Sequence, residues 1–129
     1  MQALVNRVFP KEFNVNAQPS SFFTVVSDAT VNPIVLNKSS NNGQVRFVFD
    51  CTNYDHLRIR AVGSTAVFNV QLGTVGGSHI SPITDQTVNG TRDFDVDVSE
   101  FVGDTEFFLF NRYSATSACQ LTVCKFTNE

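Results

Sequence analysis

Apolar and polar residues alternate along most of this 129-residue chain, in short runs that turn-forming residues separate. A period of two residues is typical of a β-strand with one buried face and one exposed face. The runs with alternating or strongly apolar patterns cover residues 44–51, 57–62, 66–72, 91–98, 105–112 and 118–126. Shorter candidates cover 22–26 and 34–36, and a helical period extends over no more than one turn, at 99–101. The pattern therefore predicts a protein built almost entirely of strands.

The segments between these runs are rich in Gly, Ser, Thr, Asn and Asp, which favour turns. They cover 27–30, 37–43, 52–55, 73–82 and 113–117, and the Gly-rich stretch 73–79 is predicted to be a mobile loop between strands. The spacing of the strand starts predicts an all-β fold for residues 21–129, an antiparallel β-sandwich of the jelly-roll type. The run 105–112 is apolar on both faces, which predicts a central strand. Residues 1–20 are predicted to form either an opening strand or an arm that packs on a neighbouring chain.

Composition supports this fold class and excludes several functions. The chain has 13 Phe and no Trp, and its formal net charge is -3. Phe suits a pleated, half-buried surface. Because no basic field exists to neutralise phosphates, nucleic-acid binding is not expected. No apolar run resembles a signal-peptide core or reaches the roughly 18 residues of a membrane span, so neither is expected.

Three cysteines, Cys51, Cys119 and Cys124, match neither metal-ligand nor redox spacings. A regular strand would turn Cys119 and Cys124 to opposite faces, so a bond between these two is not expected. Cys51 could pair with either of them. The main expectation is three reduced, buried thiols.

The stretch 93–98 reads DFDVDV and places Asp93, Asp95 and Asp97 on one face of a strand. Calcium needs six to eight oxygens at about 2.3–2.6 Å, whereas carboxylates on an extended strand stand about 7 Å apart. The pattern instead predicts a solvated sheet face, in which Arg58 and Arg60 lie across from the acids as a charge ladder. Asp97 is also placed to accept hydrogen bonds from backbone N–H groups of the corner that follows.

Two stretches carry a family resemblance. Residues 93–126 read as a strand, the corner DVSEFVG at 97–103, an apolar strand, a polar loop and a final strand, and residues 54–59 read YDHLRI. This order resembles the galactose-binding-like jelly rolls of many carbohydrate-binding modules, which also occur on phage tail and baseplate proteins. The resemblance covers mainly the C-terminal two thirds, and the chain departs from the family in having no Trp as a sugar-stacking platform. It implies a β-sandwich that binds sugar, although a shared fold alone proves no function.

Lectin-type sites combine an aromatic plane with amide, carboxylate and Arg groups that bond to sugar hydroxyls. Two segments at strand ends supply this combination. They contain Asn53, Tyr54, Asp55 and His56 before one strand, and Asn111, Arg112 and Tyr113 after another. Each tyrosine alone could instead cover the end of the sandwich, with its hydroxyl bonded to nearby backbone. The binding site is predicted where both segments meet at one rim.

Signatures of catalysis are weak in this sequence. It contains two histidines, His56 and His79, and no GxSxG nucleophile elbow. The Gly-rich stretch 73–79 lacks the Lys-Ser/Thr pair and the following helix of a phosphate-binding loop. We therefore expect no enzyme activity, no cofactor and no metal.

The sequence predicts a non-catalytic module that recognises a surface carbohydrate as part of a phage or virion attachment apparatus, on the surface of a virion or another extracellular particle. Weak monovalent binding would make avidity important, and a homo-oligomer is expected, with a trimer favoured. The alternative is a structural virion protein, a capsid decoration or fibre subunit whose sandwich serves assembly. The Phe-rich stretch 107–110 favours this alternative, because Phe on the outer face of a sheet would need a partner surface.

Overall fold

The computed structural model describes residues 11–38 and 40–128, and this part of the chain forms nine β-strands. They are β1 (Glu12–Asn14), β2 (Thr24–Ser27), β3 (Ala29–Thr30), β4 (Ile34–Leu36), β5 (Gly43–Asp50), β6 (His56–Thr74), β7 (His79–Asp97), β8 (Asp104–Asn111) and β9 (Cys119–Thr127). Two single 3-10 turns, Val15–Ala17 and Ser20–Phe22, lie between β1 and β2. Within these ranges no helix has the length and apolarity to cross a membrane. The first ten residues of the predicted arm lie outside the described residues, whereas β1 pairs with β9.

The strands form two layers, and every strand pairing is antiparallel. The first layer contains the C-terminal half of β7, the N-terminal half of β6, then β9, which pairs on its other side with β1 and β4. The second layer contains the N-terminal half of β7, the C-terminal half of β6, then β8, β5 and β2. The structure confirms the predicted all-β, antiparallel sandwich.

The long strands β6 and β7 form one continuous ribbon that joins the two layers. Their pairing shifts register between Ser64 and Ala66, where Thr65 has φ 78° and Gly90 on the facing strand has φ 98°. An irregularity of this kind bends a strand pair and increases its twist, so the ribbon passes from one layer into the other. The sequence runs 57–62 and 66–72 are therefore two halves of one bent strand.

The predicted connection at 73–82 is shorter in the structure than the sequence pattern indicates. β6 continues to Thr74, a tight turn follows in which the Gly77 N–H donates to the Thr74 carbonyl at 2.8 Å, and β7 begins at His79. Pro82 is compatible with a strand here because, among the described residues, β7 pairs with β6 alone and is an edge strand. Turn-forming residue types thus marked a turn correctly but overstated its length.

The core between the layers is dominated by Phe side chains. Phe126 of β9 stacks on Phe49 of β5, with ring centroids 4.1 Å apart, and meets Phe107 of β8 edge-on at 5.3 Å. Phe47 of β5 stacks on Phe107 at 5.0 Å. Full burial of one such side chain contributes about 2–3 kcal/mol. Because β8 lies between β5 and β6, the central-strand prediction for 105–112 is confirmed.

All three cysteines are free and buried, and one prediction about them is wrong. Cys119 and Cys124 both face the core, because β9 contains an extra residue between Leu121 and Val123 that shifts its pairing with β6. The shift turns the strand by one position, so residues five apart face the same side. Burial raises the pKa of Cys51 to about 11 and that of Cys119 and Cys124 to about 12, which leaves the thiols uncharged.

Candidate functional site

The two predicted sugar-binding segments lie at opposite ends of the sandwich. β5 and β8 pair from Gly43 opposite Asn111 to Asp50 opposite Asp104. Residues 53–56 follow the Asp50 end, and residues 111–113 follow the other end. Seven residues of strand separate the two ends, about 23 Å at the usual rise per residue. The structure therefore does not bring both segments to one rim.

The segment at 53–56 splits between the core and the surface. Tyr54 is only 9% exposed and packs on Phe49 and Phe126, so the structure places its ring in the core. Burial raises the pKa of its hydroxyl. Asp55 exchanges backbone hydrogen bonds with neighbouring strands, and Asn53 is exposed in the turn before it. His56, the last of the four, lies at the start of β6.

The segment at 111–113 contributes one structural and two surface residues. The Asn111 side chain is buried and bonded to three backbone groups, including the Val67 N–H at 2.9 Å, so it closes the end of the sandwich. Arg112 forms a two-pronged pair with Asp85, at 2.8 and 3.1 Å. Tyr113 is 57% exposed, with the Arg112 guanidinium 5.7 Å from its ring centre. Arg112 and Tyr113 stay candidates for ligand contact.

The outer face of the first layer confirms the predicted charge ladder. We call it the charged face; it is formed by alternate residues of four neighbouring strands, Glu12, Val123, Lys125, Arg58, Arg60, Asp93 and Asp95. Arg60 lies opposite Asp93 and donates to it at 2.8 Å. Arg58 lies opposite Asp95, with 3.5 Å between Nη1 and Oδ2, and His56 Nδ1 is 2.9 Å from the other oxygen of Asp95.

The third acid of the DFDVDV stretch has the predicted capping role. Asp97 Oδ1 accepts hydrogen bonds from the Ser99 N–H at 2.9 Å and from the Ser99 hydroxyl at 2.6 Å. These bonds lower the pKa of Asp97, as the Arg60 hydrogen bond lowers that of Asp93. Among residues 11–38 and 40–128, no three His, Cys, Asp or Glu side chains are grouped to hold a metal ion.

The outer face of the second layer carries two phenylalanines on its central strand. We call it the aromatic face; its members alternate with core residues on three strands, Gln44, Arg46, Asn69, Gln71, Phe108 and Phe110. Phe108 lies between Arg46 of β5 and Gln71 of β6, and Phe110 lies between Gln44 and Asn69. Both rings are partly exposed. Gln44, Arg46 and Gln71 beside the rings can bond to hydroxyl groups, whereas the Asn69 side chain is buried and bonded to the backbone of Val67 and Asp85.

A buried carboxylate closes one end of the aromatic face. Glu106, two residues before Phe108, has a side chain only 6% exposed, and it pairs with Arg46 through Oε2. Its Oε1 accepts from the Gly76 N–H at 3.3 Å and lies 2.9 Å from His79 Nε2. Burial alone would raise the pKa of Glu106, but the hydrogen bonds from Arg46, Gly76 and His79 lower it overall. The carboxylate therefore holds the Arg46 and His79 side chains in place.

Gly73 makes this network possible. On the sheet it lies directly between Glu106 of β8 and His79 of β7. A Cβ atom on Gly73 would come within 2.0 Å of the Ser78 carbonyl oxygen, so the position requires glycine. Because Gly73 has no side chain, His79 can reach across it to Glu106.

Several solved structures are similar to this fold. A CBM29-2 mutant complexed with cellulohexaose has a TM-score of 0.62 and 8% sequence identity, over 93% of this chain and 89% of that one. CBM51 from Clostridium perfringens GH95, in complex with methyl-galactose, has a TM-score of 0.51 and 11% identity, over 90% of this chain and 99% of that one. The fold is that of carbohydrate-binding modules.

Other comparisons limit what this similarity carries. The CBM51-2 and INT domains of Clostridium perfringens ZmpB match with a TM-score of 0.52 and 13% identity. The match covers 92% of this chain but only 32% of that chain. No protein-family model and no curated protein sequence matches the chain. At these identities the similarity shows a shared fold, and the site must be argued from the chain's own residues.

The alternation within β8 indicates part of the aromatic face. In TEFFLFNR, a period of two places Glu106, Phe108 and Phe110 on one face and Phe107 and Leu109 on the other. Apolar residues on both faces predict a central strand, but they do not say which face lies outside the sandwich. Only the strand order shows that one face lies outside the sandwich, and only the register places Arg46 and Gln71 beside the rings.

Proposed function

We propose that the protein is a non-catalytic carbohydrate-binding module that holds an oligosaccharide along the aromatic face. The observation that carries the proposal is the placement of Phe108 and Phe110 two residues apart on the outer side of the central strand, flanked by Arg46, Gln44 and Gln71. Sugar rings present apolar C–H faces and a rim of hydroxyl groups. An aromatic ring bordered by amide and guanidinium groups matches both features.

The dimensions of this face suit a chain of sugars better than a single sugar. From Glu106 to Arg112 the strand direction extends over six residues, about 20 Å at the usual rise. Arg112 and its partner Asp85 lie at one end of the face, since Asp85 is tied to Asn69 through a 2.8 Å hydrogen bond. The exposed ring of Tyr113 follows directly. The Arg46, Glu106 and His79 network forms the other end.

Titration of the full chain with neutral hexasaccharides tests this proposal. Cellulohexaose and mannohexaose are suitable probes, measured by isothermal titration calorimetry. We expect Phe108→Ala and Phe110→Ala each to weaken binding about tenfold, which corresponds to about 1.4 kcal/mol. Tyr113→Ala should weaken it less, because this ring lies beyond the end of β8.

Tyr54→Phe serves as the matched control, because it changes an aromatic residue that the core encloses. Its affinity should equal that of the unchanged chain. Unchanged binding in both Phe variants would show that the sugar site lies elsewhere on the protein. Failure of the unchanged chain to bind any neutral oligosaccharide, on a glycan array as well as by calorimetry, would overturn the proposal.

The structural alternative is tested on the same two residues. Outward-facing Phe108 and Phe110 are also what a protein partner surface would cover. Size-exclusion chromatography with light scattering on the unchanged chain and on both Phe variants separates the two functions. An oligomer that the Phe variants convert to monomers would favour assembly. The predicted trimer and the attachment to a phage or virion particle stay predictions.

A further inference from the structure

A pocket lies on the charged face, away from Phe108 and Phe110. It has a volume of about 370 Å³ and is bordered by β6, β7 and β9. Its charged members are Arg58, Arg60, Lys125, Asp93 and Asp95, and Val123 supplies an apolar wall. This volume lies within the range of about 300–1,000 Å³ that is usual for small-ligand sites.

The charges in this pocket are sorted by strand. Lys125 of β9 lies directly opposite Arg58 of β6, and Arg60 is two residues further along β6, opposite Val123. We call Arg58, Arg60 and Lys125 the basic centre. Like charges directly opposite each other on a sheet are destabilising, so this arrangement opposes stability. Each cation is paired with a carboxylate of the same face, Arg58 with Asp95, Arg60 with Asp93 and Lys125 with Glu12, so the basic centre concentrates positive charge in the middle of a face whose acids lie at its sides.

The carboxylates that pair with the basic centre lie on its two flanks. Lys125 Nζ is 3.1 Å from Glu12 of β1, on the far side of β9. Asp93 and Asp95 lie on β7, on the far side of β6. Across the sheet the order is therefore acid, base, base, acid. A small anion seated in the middle would meet the cations while the acids hold their side chains from the outside.

From this arrangement we propose that the basic centre binds a single negatively charged group, the carboxylate or sulfate of an acidic saccharide. The planar fork of Arg matches both groups, and Lys adds a point charge. Val123 and the sheet surface offer contact for the apolar side of the sugar ring. This site is independent of the aromatic face, since the two faces belong to opposite outer surfaces of the sandwich.

Titration of the full chain with a defined oligogalacturonate, monitored by calorimetry at low ionic strength, tests the site. A neutral galactan of the same length is the matched ligand. We expect binding of the acidic probe at least tenfold tighter than that of the neutral one. Affinity should fall several-fold between about 0.05 and 0.3 M salt, because the pocket is open to solvent.

Variants assign that binding to the basic centre. Lys125→Gln and Arg58→Gln should each weaken the acidic probe about tenfold, with the fold verified by circular dichroism. Lys38→Gln removes an exposed charge beyond the end of β4 and should leave the affinity unchanged. Equal affinities for acidic and neutral probes, or unchanged binding in Lys125→Gln, would overturn the proposal.

A sulfated oligosaccharide of matched charge identifies the anionic group. Similar affinity for both anionic probes would support a site that recognises charge. A clear preference for oligogalacturonate would support recognition of the planar carboxylate by the Arg forks. Binding of neutral hexasaccharides tests the aromatic face, and binding of the acidic probe to the Lys125 and Arg58 variants tests the basic centre. Failure of one proposal can therefore be distinguished from failure of the other.

Discussion

The two outer faces of the sandwich share strand β6 but differ in how their polar side chains are paired. β6 supplies Arg58 and Arg60 to the charged face and Asn69 and Gln71 to the aromatic face. On the charged face, ion pairs are exposed and lie side by side. On the aromatic face, one buried carboxylate, Glu106, collects several donors. The difference shows that an outward-facing position on a sheet can be either a solvated pair or part of a rigid, nearly buried network.

The largest expected effect concerns the glycines on the two halves of β6. A Cβ atom on Gly73 would lie 2.0 Å from the Ser78 carbonyl oxygen, whereas on Gly63 its shortest contacts are 2.9 Å. We expect Gly73→Ala to cost about 3 kcal/mol and Gly63→Ala about 1 kcal/mol, since overpacking against backbone forces a main-chain shift. Urea unfolding of both variants measures the difference. Equal costs would show that the turn at 75–78 gives way easily.

Replacing the carboxylate on each face gives the next largest contrast. Glu106→Gln removes the charged acceptor that Arg46, His79 and the Gly76 N–H share, and we expect it to cost about 2 kcal/mol in the free energy of unfolding. Asp93→Asn should change this free energy little, because exposed ion pairs contribute little. Urea unfolding at neutral pH compares the two variants. Similar losses would mean that burial does not distinguish the faces.

Acid titration sharpens the same comparison. Hydrogen bonds lower the pKa of Glu106 in the folded protein below its ordinary value of 4.5. A depressed folded pKa adds stability above the unfolded pKa, and that stability is lost as the pH falls through the folded value. The difference in unfolding free energy between the unchanged chain and Glu106→Gln should therefore be largest at neutral pH and should shrink below about pH 4.5. Unfolding free energies measured from pH 7 downward check this, and a gap that stayed constant would contradict it.

Local patterns predicted the strands better than the binding surface. The alternation in DFDVDV was enough to place the three aspartates outward and Arg58 and Arg60 across from them, because this assignment requires only a period of two and one strand pairing. The predicted sugar rim required knowledge of which loops share an end. That depends on the strand order and on the bend at Thr65, which no local pattern contains.

The burial of Tyr54 and the exposure of Phe108 were both beyond the reach of sequence reasoning, for one physical reason. Both are aromatic residues next to a strand end or within a strand, and their exposure depends on what the opposite layer covers. Tyr54 is covered by Phe49 and Phe126, whereas Phe108 lies on the side of β8 away from the core. Burial of this kind is decided by packing between distant segments, and residue type alone cannot supply it.

The smallest effect tests whether the ion pairs of the two faces differ in their response to salt. Double-mutant cycles on Arg60 with Asp93 and on Arg46 with Glu106, using Gln and Asn replacements, give the coupling of each pair. The side chains of Arg60 and Asp93 are 51% and 65% exposed, so we expect a weak coupling that disappears in about 1 M NaCl, where the screening length is about 3 Å. The Arg46 and Glu106 coupling should survive that salt, because the carboxylate is enclosed by Gly76 and His79. If both couplings vanished together, the Glu106 network would be as solvated as the charge ladder, and the aromatic face would lose the rigid end on which its proposed binding function depends.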